Sequence, residues 1–207
     1  MRGVFVTGTD TGVGKTLVSA CLVRAWGADY WKPVQTGLDV DEGDTAAVAR
    51  FAQLPAGRLH APAYAFGPPL SPHLAAERAG VEIALDRFTL PASVRPIVVE
   101  GAGGALVPLN GQALMVDLMQ ALALPVVVVA ADRLGAINHT LMTLETLRTR
   151  GLKVAGVILT GDPFADNAEA IVRHEGVKVL ARLPRAERID AGVVADWAEH
   201  MPPLSSC

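Results

Sequence analysis

Gly3-Val4-Phe5-Val6-Thr7-Gly8-Thr9-Asp10-Thr11-Gly12-Val13-Gly14-Lys15-Thr16 stands near the start of the chain and decides how the rest of it is read. Residues 3–7 form a short apolar run rich in β-branched side chains, which predicts a buried strand. The glycines that follow let successive backbone N–H groups turn inward around an anion. Helical spacing of apolar residues over 14–26 predicts a helix starting at once, and its N-terminus adds a favourable dipole. In this arrangement Lys15 bridges the outer phosphates of a nucleotide and the Thr16 hydroxyl holds a magnesium ion. The spacing departs from the common Gly-x-x-x-x-Gly-Lys form, because Gly8 and Gly14 enclose five residues. An ordinary strand-to-helix turn with an accidental Gly-Lys-Thr is the plain alternative. The strand before it and the helix after it argue for a working phosphate loop.

Outward from that loop, β-branched runs alternate with helical patterns, the signal of a parallel α/β sheet. Strands are expected at 3–7, 29–32, 96–100, 125–130, 154–160 and 177–183, with helices at 14–26, 45–52, 114–122, 136–150 and 166–175. Several strands are apolar on both alternating faces, as strands covered by helices on each side should be. Residues 55–91 carry many of the prolines and glycines and no convincing long strand, so this stretch reads as an excursion with one or two short helices. The expectation is one doubly wound, mainly parallel P-loop domain over residues 1–207, with no repeats.

Composition narrows the function. About half the residues are apolar and 19% are charged, which excludes a disordered chain. A net charge of −3 and a pI near 5.9 leave no basic footprint for nucleic acid or an anionic membrane. The longest apolar run, 122–131, is far short of a membrane span and is broken by Pro125, and the apolar start is too short for a signal peptide. Two cysteines, Cys21 and Cys207, make neither a disulfide framework nor a metal spacing, so a cytoplasmic location is expected.

A nucleotide-bound magnesium needs carboxylates besides the threonine hydroxyl. Glu100 ends the strand Pro96-Ile97-Val98-Val99-Glu100, at the sheet edge where open α/β folds place ligands, and Gly101-Ala102-Gly103-Gly104 then allows close backbone approach. Asp44 stands before an apolar helix, where an N-cap is its default role, and Asp39, Asp41 and Glu42 compete with it as metal partners. Lys32 ends the second strand. Alone it reads as a solvated charge, although that position faces the same phosphates as Lys15.

Together these residues resemble the dethiobiotin synthetase family. The matching pieces are the loop from Gly8 to Thr16, Lys32-Pro33-Val34 with Thr36-Gly37, and Gly43-Asp44. Ser71-Pro72-His73, Val99-Glu100-Gly101-Ala102-Gly103-Gly104, and Leu134-Gly135 with Ile137-Asn138-His139 follow in the family's order, so the resemblance covers nearly the whole chain. The loop spacing that departs from the common form is the family's own.

The resemblance implies an ATP- and magnesium-dependent cyclo-ligase of biotin biosynthesis, which joins carbon dioxide to 7,8-diaminopelargonate through a carbamate and a carbamic–phosphoric anhydride. It implies Lys32, Lys15 and Thr11 as the catalytic set, and Thr16, Asp44 and Glu100 as the magnesium set, which raises Asp44 above its capping role. Nucleotide contacts are implied for Gly12, Val13, Gly14, Lys15, Thr16, Leu17, Asp44, Glu100, Gly101, Ala102 and Gly103. On the base side they are implied for Thr160, Gly161, Pro184, Arg185 and Ala186. Thr36 and Ser71 would face the diamine. Gly135, Ala136 and Asn138 open a helix whose free N–H groups suit the carboxylate of substrate held mainly by another subunit, which implies a homodimer. No proton transfer is implied for His139, and His73 shapes its loop.

Two departures from the family pattern matter. Gly12 stands where members often carry glutamate, which leaves phosphate binding intact. Leu159-Thr160-Gly161-Asp162-Pro163 stands where Asn-Asp commonly meets adenine, and a threonine hydroxyl cannot copy an amide's paired donor and acceptor. Base preference is therefore open to nucleoside triphosphates other than ATP. Arg185 is either a base contact or an exposed surface charge. Among other P-loop proteins, partitioning ATPases carry an extra lysine early in the loop, absent from residues 8–13, and amidating enzymes need a glutaminase domain for which the chain has no room. A nucleotide switch would match Asp132-Arg133-Leu134-Gly135, but no Asn-Lys-x-Asp guanine motif is present. A pure binding module leaves the two lysines and the carboxylates without a purpose.

Overall fold

The opening run forms strand β1 (Gly3–Gly8), buried along its whole length, and helix α1 (Lys15–Trp26) follows the glycine-rich turn. In this computed structural model, which describes residues 2–207, the chain continues through β2 (Asp29–Trp31), β3 (Val34–Gln35), α2 (Gly43–Ala52), β4 (Leu59–His60), β5 (Tyr64–Ala65) and α3 (Pro72–Arg78). Then come β6 (Ile97–Gly104), α4 (Met115–Leu122), β7 (Val126–Ala131), α5 (Ala136–Thr149), β8 (Val154–Thr160), α6 (Asn167–Glu175), β9 (Val179–Leu183) and α7 (Ala191–Ala198).

Seven strands build one parallel sheet in the order β4-β2-β6-β1-β7-β8-β9. From β1 the chain first builds outward through β2 and β4, and after β6 it crosses to build the other half. The direction of winding therefore reverses at β1, and such a reversal leaves a crevice beyond the strands' C-terminal ends. Alternation along the strands splits the core in two. Phe5, Ile97, Val99, Val126 and Val128 face α3, α4, α5 and α6, whereas Val4, Val6, Val98, Val127 and Val129 face α1, α2 and α7. Fully buried side chains such as Phe5, Leu22 and Ile158 stabilise the fold by about 1.5–3 kcal/mol each.

The expected strands and helices are present with shifts at their ends, and three differences bear on function. Strand β2 stops at Trp31, so Lys32 stands just past it. Strand β6 runs on through the glycines to Gly104, because Gly104 pairs with Gly8 on β1 and a Cβ there would meet the Gly8 carbonyl at 3.2 Å. Helix α2 begins at Gly43, which places Asp44 inside its first turn rather than at the cap. The 55–91 excursion holds one α-helix, α3, and also adds the edge strand β4 to the sheet and pairs β5 with β3. Helix α7 is an element the sequence reading did not expect. Its start was legible, since the Asp190 side chain accepts from the N–H groups of Gly192 and Val193.

Candidate active site

Parallel register assembles the centre of the site. Trp31 pairs with Val99, so the next residue on each strand, Lys32 and Glu100, stand side by side, and Val6 flanks Glu100 from β1. The Lys32 Nζ lies 2.6 Å from Asp44 Oδ2 and 3.1 Å from Glu100 Oε1, and donates to the Gly101 carbonyl at 3.0 Å. Tyr30, two residues earlier on the same strand face, donates its hydroxyl to Glu100 Oε2 at 2.9 Å. Lys32 is 3% exposed and Glu100 1%, and both charges are paired, as buried charges must be.

The phosphate loop closes over this cluster. Gly12 and Gly14 adopt φ of 73° and 89°, left-handed conformations that favour glycine. Lys15 reaches back to donate to the Asp10 carbonyl at 2.9 Å, and the Thr11 N–H donates to Asp10 Oδ1 at 2.7 Å. Thr16 Oγ1 lies 2.7 Å from Asp44 Oδ1 and 3.1 Å from Glu100 Oε1. A hydroxyl carries one proton and cannot serve both carboxylates fully. Three oxygens converging in this way, all hard donors, fit magnesium, which is held by one or two carboxylates with substrate phosphates rather than by an all-protein cage. No cluster of three or more His, Cys, Asp or Glu side chains suited to a metal occurs among the described residues.

Charge is distributed unevenly between the two lysines. Burial works against the Lys32 ammonium, but the Glu100 and Asp44 carboxylates outweigh it and hold its pKa above the ordinary lysine value. Burial likewise opposes the Asp44 carboxylate, and Lys32, with the Thr16 hydroxyl, overcomes it and pulls that pKa below the ordinary value. Lys15 has the opposite balance: burial, then the nearby Lys32, lower its pKa more than the carboxylates restore it. It is the cation short of counter-charge, and a polyphosphate would supply what it lacks. Burial, and then the Glu100 charge, push the Tyr30 phenol well above its ordinary value, so it stays a donor.

These groups line a cleft of about 580 Å³. Of the residues expected in the site, it brings together Thr11, Gly12, Gly14, Lys15, Thr16, Lys32, Thr36, Asp44, Ser71, Glu100, Ala102 and Gly103. Thr36 and Ser71 come from the far wall, after β3 and at the start of α3. Val13 has its side chain in the core, Leu17 lies half-buried in the first turn of α1, and Gly101 contributes its carbonyl to Lys32. Thr160, Gly161, Pro184, Arg185 and Ala186 gather at the ends of β8 and β9, where the Gly161 N–H donates to the Leu183 carbonyl at 2.8 Å, outside the cleft lining. Arg185 is exposed. Gly135, Ala136 and Asn138 sit at the start of α5 and also lie outside this cleft, with Gly135 and Asn138 exposed. Asp132, the switch-like acid, is buried. It accepts from Asn167 Nδ2 at 2.8 Å and stands 3.9 Å from Arg182. Its carboxylate is occupied in holding the fold.

Two residues that no motif singled out complete the cluster. Tyr30 orients Glu100, and its place two residues before Lys32 was the available signal. Gln35 Oε1 accepts from the Asp44 N–H at 3.0 Å and fixes the start of α2, a contact across nine residues that only the folded loop creates.

Comparisons with known proteins follow this geometry. A family model described as an AAA domain matches residues 2–192. The biotin biosynthesis bifunctional protein BioCD of Bordetella avium is 55% identical over 205 residues, which are 99% of this chain and 44% of that protein. The ATP-dependent dethiobiotin synthetase BioD of Paramagnetospirillum magneticum is 51% identical over 207 residues, 100% of this chain and 98% of that protein. The chain thus spans less than half of the bifunctional relative and nearly all of the single-function one. Among solved structures, a ParA family ATPase from Chlorobium tepidum TLS aligns over 97% of this chain and 100% of its own, with a TM-score of 0.58 at 13% identity. At that identity the likeness concerns the P-loop fold alone.

Proposed function

The chain belongs to the AAA-domain family and, within it, to the ATP-dependent dethiobiotin synthetases, and on that premise we propose that its cleft closes the ureido ring of dethiobiotin on 7,8-diaminopelargonate and carbon dioxide. The observation that carries this reading is the Lys32 ammonium, buried between Asp44 and Glu100 in the same cleft as Lys15 and Thr16 of the phosphate loop. A cation there is placed to stabilise negative charge on both a transferring phosphoryl group and a carbamate.

In this reading one amine of the diamine takes up carbon dioxide and loses a proton, giving a carbamate. The carbamate oxygen attacks the γ-phosphorus of ATP and ADP leaves, forming a carbamic–phosphoric anhydride. The second amine then attacks the carbonyl carbon, loses its proton and expels phosphate, closing the ring. Free carbamate is a poor electrophile, and the phosphate leaving group corrects that. Lys15, Lys32 and Thr11 hold the phosphoryl and carbamate oxygens, where charge stabilisation is the largest catalytic term. Backbone groups from Gly12 to Leu17 would cradle the phosphates, and Ala102 and Gly103 line the same cleft. Thr36 and Ser71 hold the amines close, which supplies proximity. Thr16, Asp44 and Glu100 would hold magnesium, which would supply positive charge to offset that of the triphosphate.

Residues 160–161 and 184–186 flank the base, with no amide at 160 to select adenine. Gly135, Ala136 and Asn138 lie outside this chain's cleft, and the exposure of Gly135 and Asn138 supports a homodimer in which this helix start reaches the carboxylate of the partner's diamine. We assign the described residues to one domain acting in the cytoplasm, and among them no helix is long and apolar enough to cross a membrane.

The test is phosphate release from ATP and magnesium with bicarbonate, with and without the diamine. Release that depends on the diamine and falls by about 100-fold or more in Lys32→Ala is expected, from the usual size of a single transition-state contact. Release indifferent to the diamine would sink the reading.

A further inference from the structure

Thr160 ends β8 beside the phosphate loop, and its hydroxyl is already engaged. Oγ1 donates to the Val13 carbonyl at 2.9 Å and stands 3.5 Å from the Ala130 carbonyl. Its methyl group, Cγ2, lies 3.1 Å from where a Cβ on Gly14 would sit. The contact spans 147 positions of sequence and joins the end of a strand to the middle of the loop.

The Val13 carbonyl and the Gly14 N–H belong to one planar trans peptide, so they point in opposite directions. A bond that draws the carbonyl toward β8 therefore turns the Gly14 N–H away from β8, and Gly14 lines the cleft together with Lys15 and Thr16. This peptide needs an external anchor. Gly14 has no side chain to restrict its dihedrals and sits at φ of 89°, and Gly12 is equally free at 73°. The same hydroxyl, with its only proton committed to Val13, keeps acceptor lone pairs but no donor, so it cannot offer a base edge the paired donor and acceptor that selects adenine.

We propose that Thr160 is a positioning residue for the triphosphate: it fixes the Val13–Gly14 peptide so that the loop presents an N–H to the phosphates, and it does not read the base. This rests on the reading of the loop as a nucleotide site. Thr160 acts on the part of the ligand common to every nucleoside triphosphate, so its contribution to affinity is the same for each of them.

Two substitutions separate its atoms. Thr160→Val keeps the shape and removes the hydroxyl, whereas Thr160→Ser keeps the hydroxyl and removes the methyl. Binding of ATP, CTP and inorganic tripolyphosphate, each with magnesium, would be measured by calorimetry on the full chain. Thr160→Val is expected to weaken all three by about 10-fold, the size of one charge-assisted hydrogen bond, and by equal factors within about 2-fold. Thr160→Ser is expected to bind all three as the wild type does. If Thr160→Val does not fold, Thr160→Ala against Thr160→Ser makes the same comparison. A loss confined to ATP, with tripolyphosphate unchanged, would overturn the proposal in favour of base reading. So would wild-type affinity in Thr160→Val, or a Thr160→Ser variant as weak as Thr160→Val, since a retained hydroxyl would then fail to hold the loop. A wild type that binds none of the three ligands would reject the nucleotide site itself, an outcome distinct from all of these.

Discussion

Glu100 carries more contacts than any motif could convey: Lys32 and Thr16 on one oxygen, Tyr30 on the other. Removing its charge in Glu100→Gln leaves Lys32 with Asp44 as its one carboxylate partner and takes one hard donor from the proposed cation site. The magnesium concentration giving half-maximal phosphate release should rise by about 10-fold or more, on the scale of a metal-ligand loss. An unchanged magnesium dependence would remove Glu100 from the metal set. Tyr30→Phe leaves Oε2 of a buried carboxylate without its donor, which costs about 1–3 kcal/mol. Urea denaturation should show the loss as a lower midpoint with the slope unchanged. Glu100 is legible from its strand-end position, whereas Tyr30 offers only its place two residues before Lys32, and its partner is fixed by the register of the neighbouring strand.

At the scale of elements, the N-terminal end of β2 is fastened by Asp29. Its carboxylate accepts from Ser93 Oγ at 2.6 Å and from Arg58 Nε at 3.4 Å, and His60 Nε2 stands 3.5 Å away. These contacts tie the edge strand β4, and the segment leading to β6, to β2. Burial raises the Asp29 pKa, but the Ser93, Arg58 and His60 contacts outweigh it and hold the carboxyl below its ordinary value of 3.8. A carboxylate with a depressed folded pKa contributes stability above its unfolded pKa and loses it as pH falls through the folded value. Asp29→Asn should therefore be less stable than the wild type at neutral pH by about 1–3 kcal/mol, from the worth of hydrogen bonds to a charged group. The gap should close as pH drops below about 4, where unfolded aspartate protonates. Chemical denaturation of both proteins between pH 7 and pH 3 checks this, and a gap that persists at pH 3 would assign the effect to packing. None of this was visible beforehand, because the 55–91 excursion looked like a detour and its two-residue strand is too short to show a period.

For the molecule as a whole, the sheet order places the start of α5 on the opposite half of the sheet from β2 and the Lys32 cluster. If a second copy completes the diamine site, Asn138→Ala should raise the KM for the diamine several-fold and leave the KM for ATP unchanged. Sedimentation of the wild type should give a dimer. A monomer with full activity, or an equal rise in both KM values, would remove α5 from substrate binding. The exposed Leu134 and Met142, 84% and 59% accessible in a single chain, flank Asn138 on that same surface.

The sequence by itself determined the parallel α/β architecture and most of the cleft, because strand periodicity, glycine punctuation and strand-end charge are local properties that survive without a fold. It also carried the family resemblance, which brought Asp44 forward where spacing alone did not decide between a helix cap and a metal partner. What only the tertiary structure decided was how the groups share one another. Parallel register set Lys32 against Glu100, the turn into α2 swung Asp44 onto Lys32 and Thr16, and the end of β8 brought the Thr160 hydroxyl to the phosphate loop. These contacts span 12, 28, 68 and 147 positions of the chain, and a hydrogen bond at such separation is set by strand order and register, which no local pattern encodes.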